Sequence, residues 1–359
     1  MIEFKKHTLP NGLKLIIHED YSTPIASFNL LYDVGSKDEN PDKTGFAHLF
    51  EHLMFGGSLN IPVFDEHLER VGGENNAFTN NDITNYYITL PAENIETAFW
   101  LESDRMLSLA FSKKSLDVQR SVVIEEFNQR YLNQPYGDVW LNLRPLAYTT
   151  HPYMWPTIGK SPEHIKNATL NDVKDFFYSH YAPNNAILSI AGPVEPNKII
   201  DLANKWFGPI EKRNISKRNI PQEPTQTSPR KLEVVRDVPF NAIYKAYHMC
   251  NRNHPDYAAT DLLSDLLSNG KSARLYQRLV KEKQLFSNVN AYITGDIDEG
   301  LFIITGQLYS TTSFEVAENA LNEEISYLHH DLISEYELEK VQNKFESNFT
   351  FEESSTLNK

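Results

Sequence analysis

The chain has 359 residues, long enough for two domains of ordinary size, each with its own core. Hydrophobic residues at 40% and aromatic residues at 12% exclude a disordered chain, and a net charge of −14 disfavours nucleic acid while suiting cationic peptides near an acidic cavity. The single cysteine, Cys250, rules out an internal disulfide, and no apolar run approaches a membrane span. The N-terminus, Met1-Ile-Glu-Phe-Lys-Lys, carries no visible signal peptide, so the expected location is cytoplasmic, or periplasmic if a leader was removed.

Residues 3–34 read as two or three strands, with a turn at Pro10-Asn11-Gly12 and alternation over Ala26–Val34. The next stretch, Thr44-Gly-Phe-Ala-His-Leu-Phe-Glu-His-Leu-Met-Phe55, reads as a helix, with Asp42 or Thr44 as N-cap and Gly56-Gly57 as its stop. On that helix His48 and His52 lie one turn apart on one face, and Glu51 shares the face. Two neutral imidazoles beside a carboxylate are what a catalytic zinc site needs: ligands, and a base next to the water. His-x-x-Glu-His is the inverted order of the zinc-peptidase motif. Phe50 and Phe55 fit either a pocket or the core.

A helix is expected over Phe64–Val71, a strand over Ile83–Leu90, and helices over Ala92–Leu109 and Ser112–Tyr131. Residues 133–160 read as a long ordered loop with some helix. Glu163–Tyr181 then reads as containing a helix, Ala186–Ala191 as a buried strand and Lys198–Phe207 as a short helix. Residues 211–230 are polar, with three prolines, and read as a linker. After them the order starts again. Strands are expected over Lys231–Val238 and Ala242–Met249, helices over Tyr257–Leu267 and Arg274–Lys283, strands over Val289–Ile297 and Leu301–Leu308, and helices from Phe314 and Glu335. The halves read as two copies of one α+β unit, residues 1–210 and 231–359, the second C-terminally incomplete.

A third metal ligand must come from a separate element. Glu125 and Glu126, in Val122-Val-Ile-Glu-Glu126, are the candidates, and helical phase alone does not choose between them.

Together with the doubled unit, these motifs resemble the pitrilysin (insulinase) family of zinc peptidases. The resemblance is strongest over residues 8–192: Leu9-Pro-Asn-Gly-Leu13, the His48–His52 stretch, Gly72-Gly73, Asn76-Ala-Phe-Thr79, Asp82–Tyr87, Val122–Glu126 and His151-Pro-Tyr153. It implies two homologous α/β-sandwich repeats, each a mostly antiparallel sheet with helices packed on one face. It implies one zinc ion per chain on His48, His52 and Glu126, Glu51 as general base, and hydrolysis of internal peptide bonds. Seven residues before Glu126 the family often has a second glutamate; here Gln119 stands there, able to accept a hydrogen bond but not to carry charge.

By the same resemblance, a peptide substrate adds as a strand beside Asn76, Ala77 and Phe78. The second repeat has no residues matching the metal motif, its helix Thr260–Leu267 having no histidine. Where the family often sets an Arg and a Tyr against substrate, this chain has Lys281 and Asn288, with Arg274, Tyr276 or Tyr292 as local substitutes. A homodimer, or a heterodimer with a related zinc-less chain, is therefore expected, as is a rival reading of the chain as a non-catalytic, peptide-binding subunit.

Overall fold

The structure, a computed structural model, describes residues 2–215 and 218–359. It divides into two compact units, Met1–Thr227 with Glu352–Lys359, and Ser228–Phe351.

The first unit is built on six strands: β1 (Lys5–Thr8), β2 (Lys14–Glu19), β3 (Ile25–Tyr32), β4 (Glu74–Thr79), β5 (Thr84–Pro91) and β6 (Ala186–Gly192). They lie in the order β1-β2-β6-β3-β5-β4, antiparallel throughout except for β2 with β6. Side chains alternate across a strand, so Phe28, Leu30 and Tyr32 of β3 share a face with Ile88 and Tyr86 of β5, which pair with Phe28 and Leu30 in register. Helices α1 (Phe46–Leu53), α2 (Phe64–Glu69) and α3 (Ile95–Leu107) pack near this face, with Phe99 of α3 edge-on to Phe28 at 5.1 Å. The sequence continues through α4 (Lys113–Phe127), α5 (Val139–Ala147), α6 (Pro162–Lys166), α7 (Leu170–His180) and α8 (Pro196–Trp206). Strand β4 ends the sheet and leaves one edge open.

The second unit has β7 (Ala242–His248), β8 (Phe286–Ile293) and β9 (Leu301–Leu308), antiparallel in the order β7-β9-β8. With α9 (Tyr257–Ser268) and α10 (Phe314–His330) it forms a separate core that includes Leu267, Phe286, Ile304 and Leu321, and α11 (Glu335–Glu352) follows. Both units thus join mostly antiparallel sheet to helices, the fold class the sequence implies.

Three local expectations are corrected. Lys231–Val238 alternates like a strand but pairs with none; Leu232, Val234 and Val235 are exposed, and alternation without a hydrogen-bonding neighbour does not make a strand. The helix expected within 163–181 is two: Thr169 stops α6 from running on, because its hydroxyl and the Asp172 carboxylate close a reciprocal cap at the start of α7. Most of the Arg274–Lys283 helix is a π turn, over Tyr276–Glu282. The stretch 133–160, expected as a long loop with some helix, has its helix in α5 and a 3-10 turn at Pro152–Met154.

Residues 211–215 and 218–230 have no regular secondary structure, yet side chains of the part before Ser228 bond to the rest of the first unit. Arg213 donates to the carbonyls of Tyr181 (2.5 Å) and Leu107 (3.1 Å). Glu223 accepts from the backbone N–H groups of Thr149, Thr150 and His151.

Candidate metal centre

Helix α1 buries Phe46, Ala47, Leu49, Phe50 and Leu53 and turns His48, Glu51 and His52 to a half-buried side. Phe50 is core, stacked on Tyr181, and Phe55 packs against the same core; neither is a free pocket wall. The two expected caps, Asp42 and Thr44, do not cap the helix. The N-cap is Gly45, in the left-handed region at φ 89°, where an added Cβ would meet the Ile158 carbonyl at 2.5 Å. The free N–H groups of the first turn are answered from outside: Glu39 accepts from Gly45 N through Oε2 and from Ala47 N through Oε1, both at 2.8 Å.

Burial pushes the Glu39 carboxyl up to about 8, against the pull of those two donors. The folded chain then holds a proton that the unfolded chain releases in the ordinary glutamate range. This contribution to stability is full below that range and is lost as pH rises through about 8. Glu39→Gln is expected to flatten that slope, as read from urea midpoints at about pH 5 and about pH 9. Glu39→Ala leaves both donors unanswered and is expected to cost about 1–3 kcal/mol at about pH 5 and less at about pH 9, where the wild type has lost the contribution of the bound proton.

Helix α4 is capped by Ser112, whose hydroxyl accepts from Ser115 N at 3.0 Å, and carries Glu126 in its last turn. Glu126 Oε2 lies 3.5 Å from His48 Nε2 and 3.3 Å from His52 Nε2. One ligand atom from each of the three residues lies within 4.8 Å of the others, and no other such cluster occurs among the described residues. Glu125 is exposed and accepts from Gln129 Nε2 at 3.1 Å, so the structure separates the two glutamates that helical phase left equal. Gln119 is half-buried on α4, and its side chain makes no hydrogen bond to a described residue, Glu126 included.

The donor set fits a zinc ion. Atoms about 2.0–2.1 Å from a tetrahedral metal stand roughly 3.3–3.4 Å apart, which matches the two nitrogen–oxygen distances. Burial draws the His48 pKa down to about 4, partly opposed by Glu126, so its ring is the neutral ligand form. The Glu126 carboxyl is held below its usual value, chiefly by the His52 hydrogen bond, and is the anionic ligand form. Arg130, in the π turn Asn128–Leu132 that follows α4, reaches Glu126 Oε1 at 3.0 Å. The Glu51 carboxyl is raised, mainly by burial, and its Oε2 accepts from Thr79 Oγ1 at 2.7 Å.

Asn76, Ala77 and Phe78 lie in β4, on the open edge, with Asn76 and Phe78 exposed. The Asn76 side chain covers the Ala77 N–H, Oδ1 at 2.8 Å. In the second unit Lys281 sits in the π turn and Asn288 in β8, bonded to Gln307 at 2.9 Å. Arg274 is no free substitute, since Glu337 holds it through two hydrogen bonds of 2.6 and 2.8 Å. Sequence reasoning missed Glu39, Arg130 and the role of Thr79. Only Thr79 carried a signal, as the last residue of Asn76-Ala-Phe-Thr79.

A family model described as Insulinase (Peptidase family M16) matches residues 14–153, and one described as Peptidase M16 inactive domain matches residues 167–345. The chain is 32% identical over 343 residues to zinc protease PqqE of Helicobacter pylori, covering 93% of this chain and 77% of that protein. It is 24% identical to the probable mitochondrial-processing peptidase subunit beta of Arabidopsis thaliana, covering 84% of this chain and 58% of that protein. Among solved structures, a protease from Helicobacter pylori superposes with a TM-score of 0.93 at 31% identity, covering 100% of this chain and 87% of that one. No described helix is long and apolar enough to cross a membrane. Two family models in order along the chain, and a relative at this identity over most of its own length, establish that the chain belongs to the insulinase (peptidase M16) family.

Proposed function

We propose that this chain is a zinc-dependent peptidase cutting internal bonds of extended peptides or unfolded polypeptides, with His48, His52 and Glu126 holding the metal and Glu51 as general base. The observation that carries this reading is the convergence of two imidazole nitrogens on one carboxylate oxygen, at 3.5 and 3.3 Å, with a second carboxylate on the same helix as the imidazoles. The names of the relatives as zinc proteases support it.

When bound, zinc would supply Lewis acidity, lowering the pKa of a water and polarising the scissile carbonyl. Glu51 takes the proton of the attacking water and returns it to the leaving amine nitrogen. Its half-buried position raises its affinity for that proton. Arg130 balances the charge on the second oxygen of Glu126. The open edge of β4 offers main-chain groups around Asn76, Ala77 and Phe78 to an extended peptide, and side-chain contacts there would set preference.

A second, related chain is part of the proposal. Lys281 and Asn288 stand where the family pattern has Arg and Tyr, and a relative is named as a subunit.

The test is digestion of a pool of unstructured peptides, read by mass spectrometry, with zinc measured on the same sample. Cleavage is expected, is lost on chelation and returns with zinc. Full zinc without cleavage would sink activity by the chain alone and favour the peptide-binding subunit.

A further inference from the structure

Strand β4 faces two ways at its last residue. Along β4 the side chains of Glu74, Asn76 and Phe78 are exposed, and those of Asn75, Ala77 and Thr79 turn half-buried to the other face. Helix α1 packs on β4 there, and the Thr79 hydroxyl reaches Glu51 Oε2 at 2.7 Å. Among the described residues this is the hydrogen bond that Glu51 accepts. Glutamate has three side-chain torsions, so a half-buried carboxylate without such a partner holds no single direction.

The backbone of the same residue faces the open edge. In an antiparallel ladder, alternate residues either exchange both polar groups with the partner strand or turn both outward. Asn80 N donates to Ile83 O at 3.0 Å, next to the Thr79–Thr84 pair, so Asn80 is a bonded position and Ala77, an odd number of residues away, is an outward one. Asn75 and Thr79, two residues away on either side, are outward by the same alternation. Thr79 closes the ladder opposite Thr84. Its peptide group therefore lies on the line along which an added strand would bond, while its side chain holds the base. Branching at Cβ restricts the threonine χ1, so the hydroxyl follows the backbone rather than swinging freely.

We propose that Thr79 is a positioning residue whose hydroxyl fixes the Glu51 carboxylate and whose peptide group couples that carboxylate to an extended peptide on the β4 edge. The inference rests on the peptidase reading above. It assigns Thr79 no proton transfer: the hydroxyl keeps its hydrogen throughout, and Glu51 accepts the water's proton with its other oxygen, Oε1.

The experiment compares Thr79→Val and Thr79→Ala, which lack the hydroxyl, with Thr79→Ser, which keeps it, in the zinc-loaded full chain with a fluorogenic peptide. The two hydroxyl-free variants are expected to lose about 10- to 100-fold in kcat, because a misdirected base costs the chemical step. Their KM should stay within about twofold, since docking through the backbone is retained. Thr79→Ser should recover kcat to within about threefold of the wild type.

Two readouts do not depend on turnover. Zinc content should be unchanged, and affinity of the chelated protein for a labelled peptide, by fluorescence anisotropy, should match the wild type. The inference is overturned by hydroxyl-free variants with wild-type kcat, by a serine variant as slow as the valine one, or by a loss confined to KM and anisotropy. A zinc-loaded wild type that cleaves nothing overturns activity by the chain alone and this inference together. A wild type that cleaves, matched by Thr79→Val, overturns this inference alone.

Discussion

Glu51→Gln is expected to lower kcat/KM by about 100- to 10,000-fold, the range over which a general base contributes, without loss of zinc. The substitution is nearly isosteric. The glutamine side-chain oxygen still accepts the Thr79 hydroxyl that Glu51 Oε2 accepts at 2.7 Å, so the local geometry survives. What is lost is the ability to take a proton. His48, His52 and Glu126 keep their mutual distances of 3.5 and 3.3 Å, and with them the metal. The expected pattern is therefore specific: full zinc by elemental analysis, unchanged KM and collapsed kcat. A Glu51→Gln variant within about tenfold of the wild type would remove Glu51 from the mechanism, and one that loses zinc would move it among the ligands.

The largest effect on stability is expected at Arg105. Glu102 and Arg105 are 0% and 1% exposed, an ion pair inside the first unit rather than on its surface. Arg105 Nε donates to Glu102 Oε2 at 2.6 Å and Nη2 donates to Oε1. The guanidinium also sits over the rings of Phe64 and Tyr86, both at 4.4 Å. Arg105→Met keeps the apolar packing and strands a buried carboxylate, which is expected to cost about 3–5 kcal/mol in urea unfolding.

The pH dependence tests the cause. Burial already raises the Glu102 carboxyl despite Arg105, and without Arg105 it rises further. A raised folded-state pKa means that the folded chain keeps a proton the unfolded chain sheds. The contribution is present below the ordinary glutamate pKa and fades as pH climbs through the folded value. Arg105→Met should therefore lose least in acid, and adding Glu102→Leu should restore most of the loss at neutral pH. A single mutant that costs under about 1 kcal/mol, or a cost flat in pH, would contradict this account.

Glu102 and Arg105 also show where sequence reading stops. Charges three apart in an amphipathic helix read as a solvated pair, and only the aromatic rings around them, from distant segments, make them interior. The face shared by His48, Glu51 and His52 was legible because it is local and set by helical period alone. The choice of Glu126 over Glu125 was not legible from phase, because it depends on where α4 crosses α1. The Glu39 cap was invisible because its acceptor lies outside the helix and outside any capping motif. The Lys231–Val238 strand failed in reverse: its pattern is local, but a strand is a property of two segments. The edge position of β4 likewise follows from strand order, which no single stretch encodes.

That strand order sets a timetable for folding. β6 lies between β2 and β3, pairing Leu15 with Leu188 and Leu30 with Leu188 from its two sides. Two strands made within the first 32 residues cannot be joined until residues 186–192 arrive. During synthesis β2 and β3 therefore each wait with an unpaired edge while more than 150 residues are added, at about 5–20 residues per second. Loop closure of this length places the first unit among slow, non-local folders and exposes its apolar strands to wrong partners in the meantime. The half of the molecule that carries the candidate site is thus the half that most depends on protection from aggregation while it is being made.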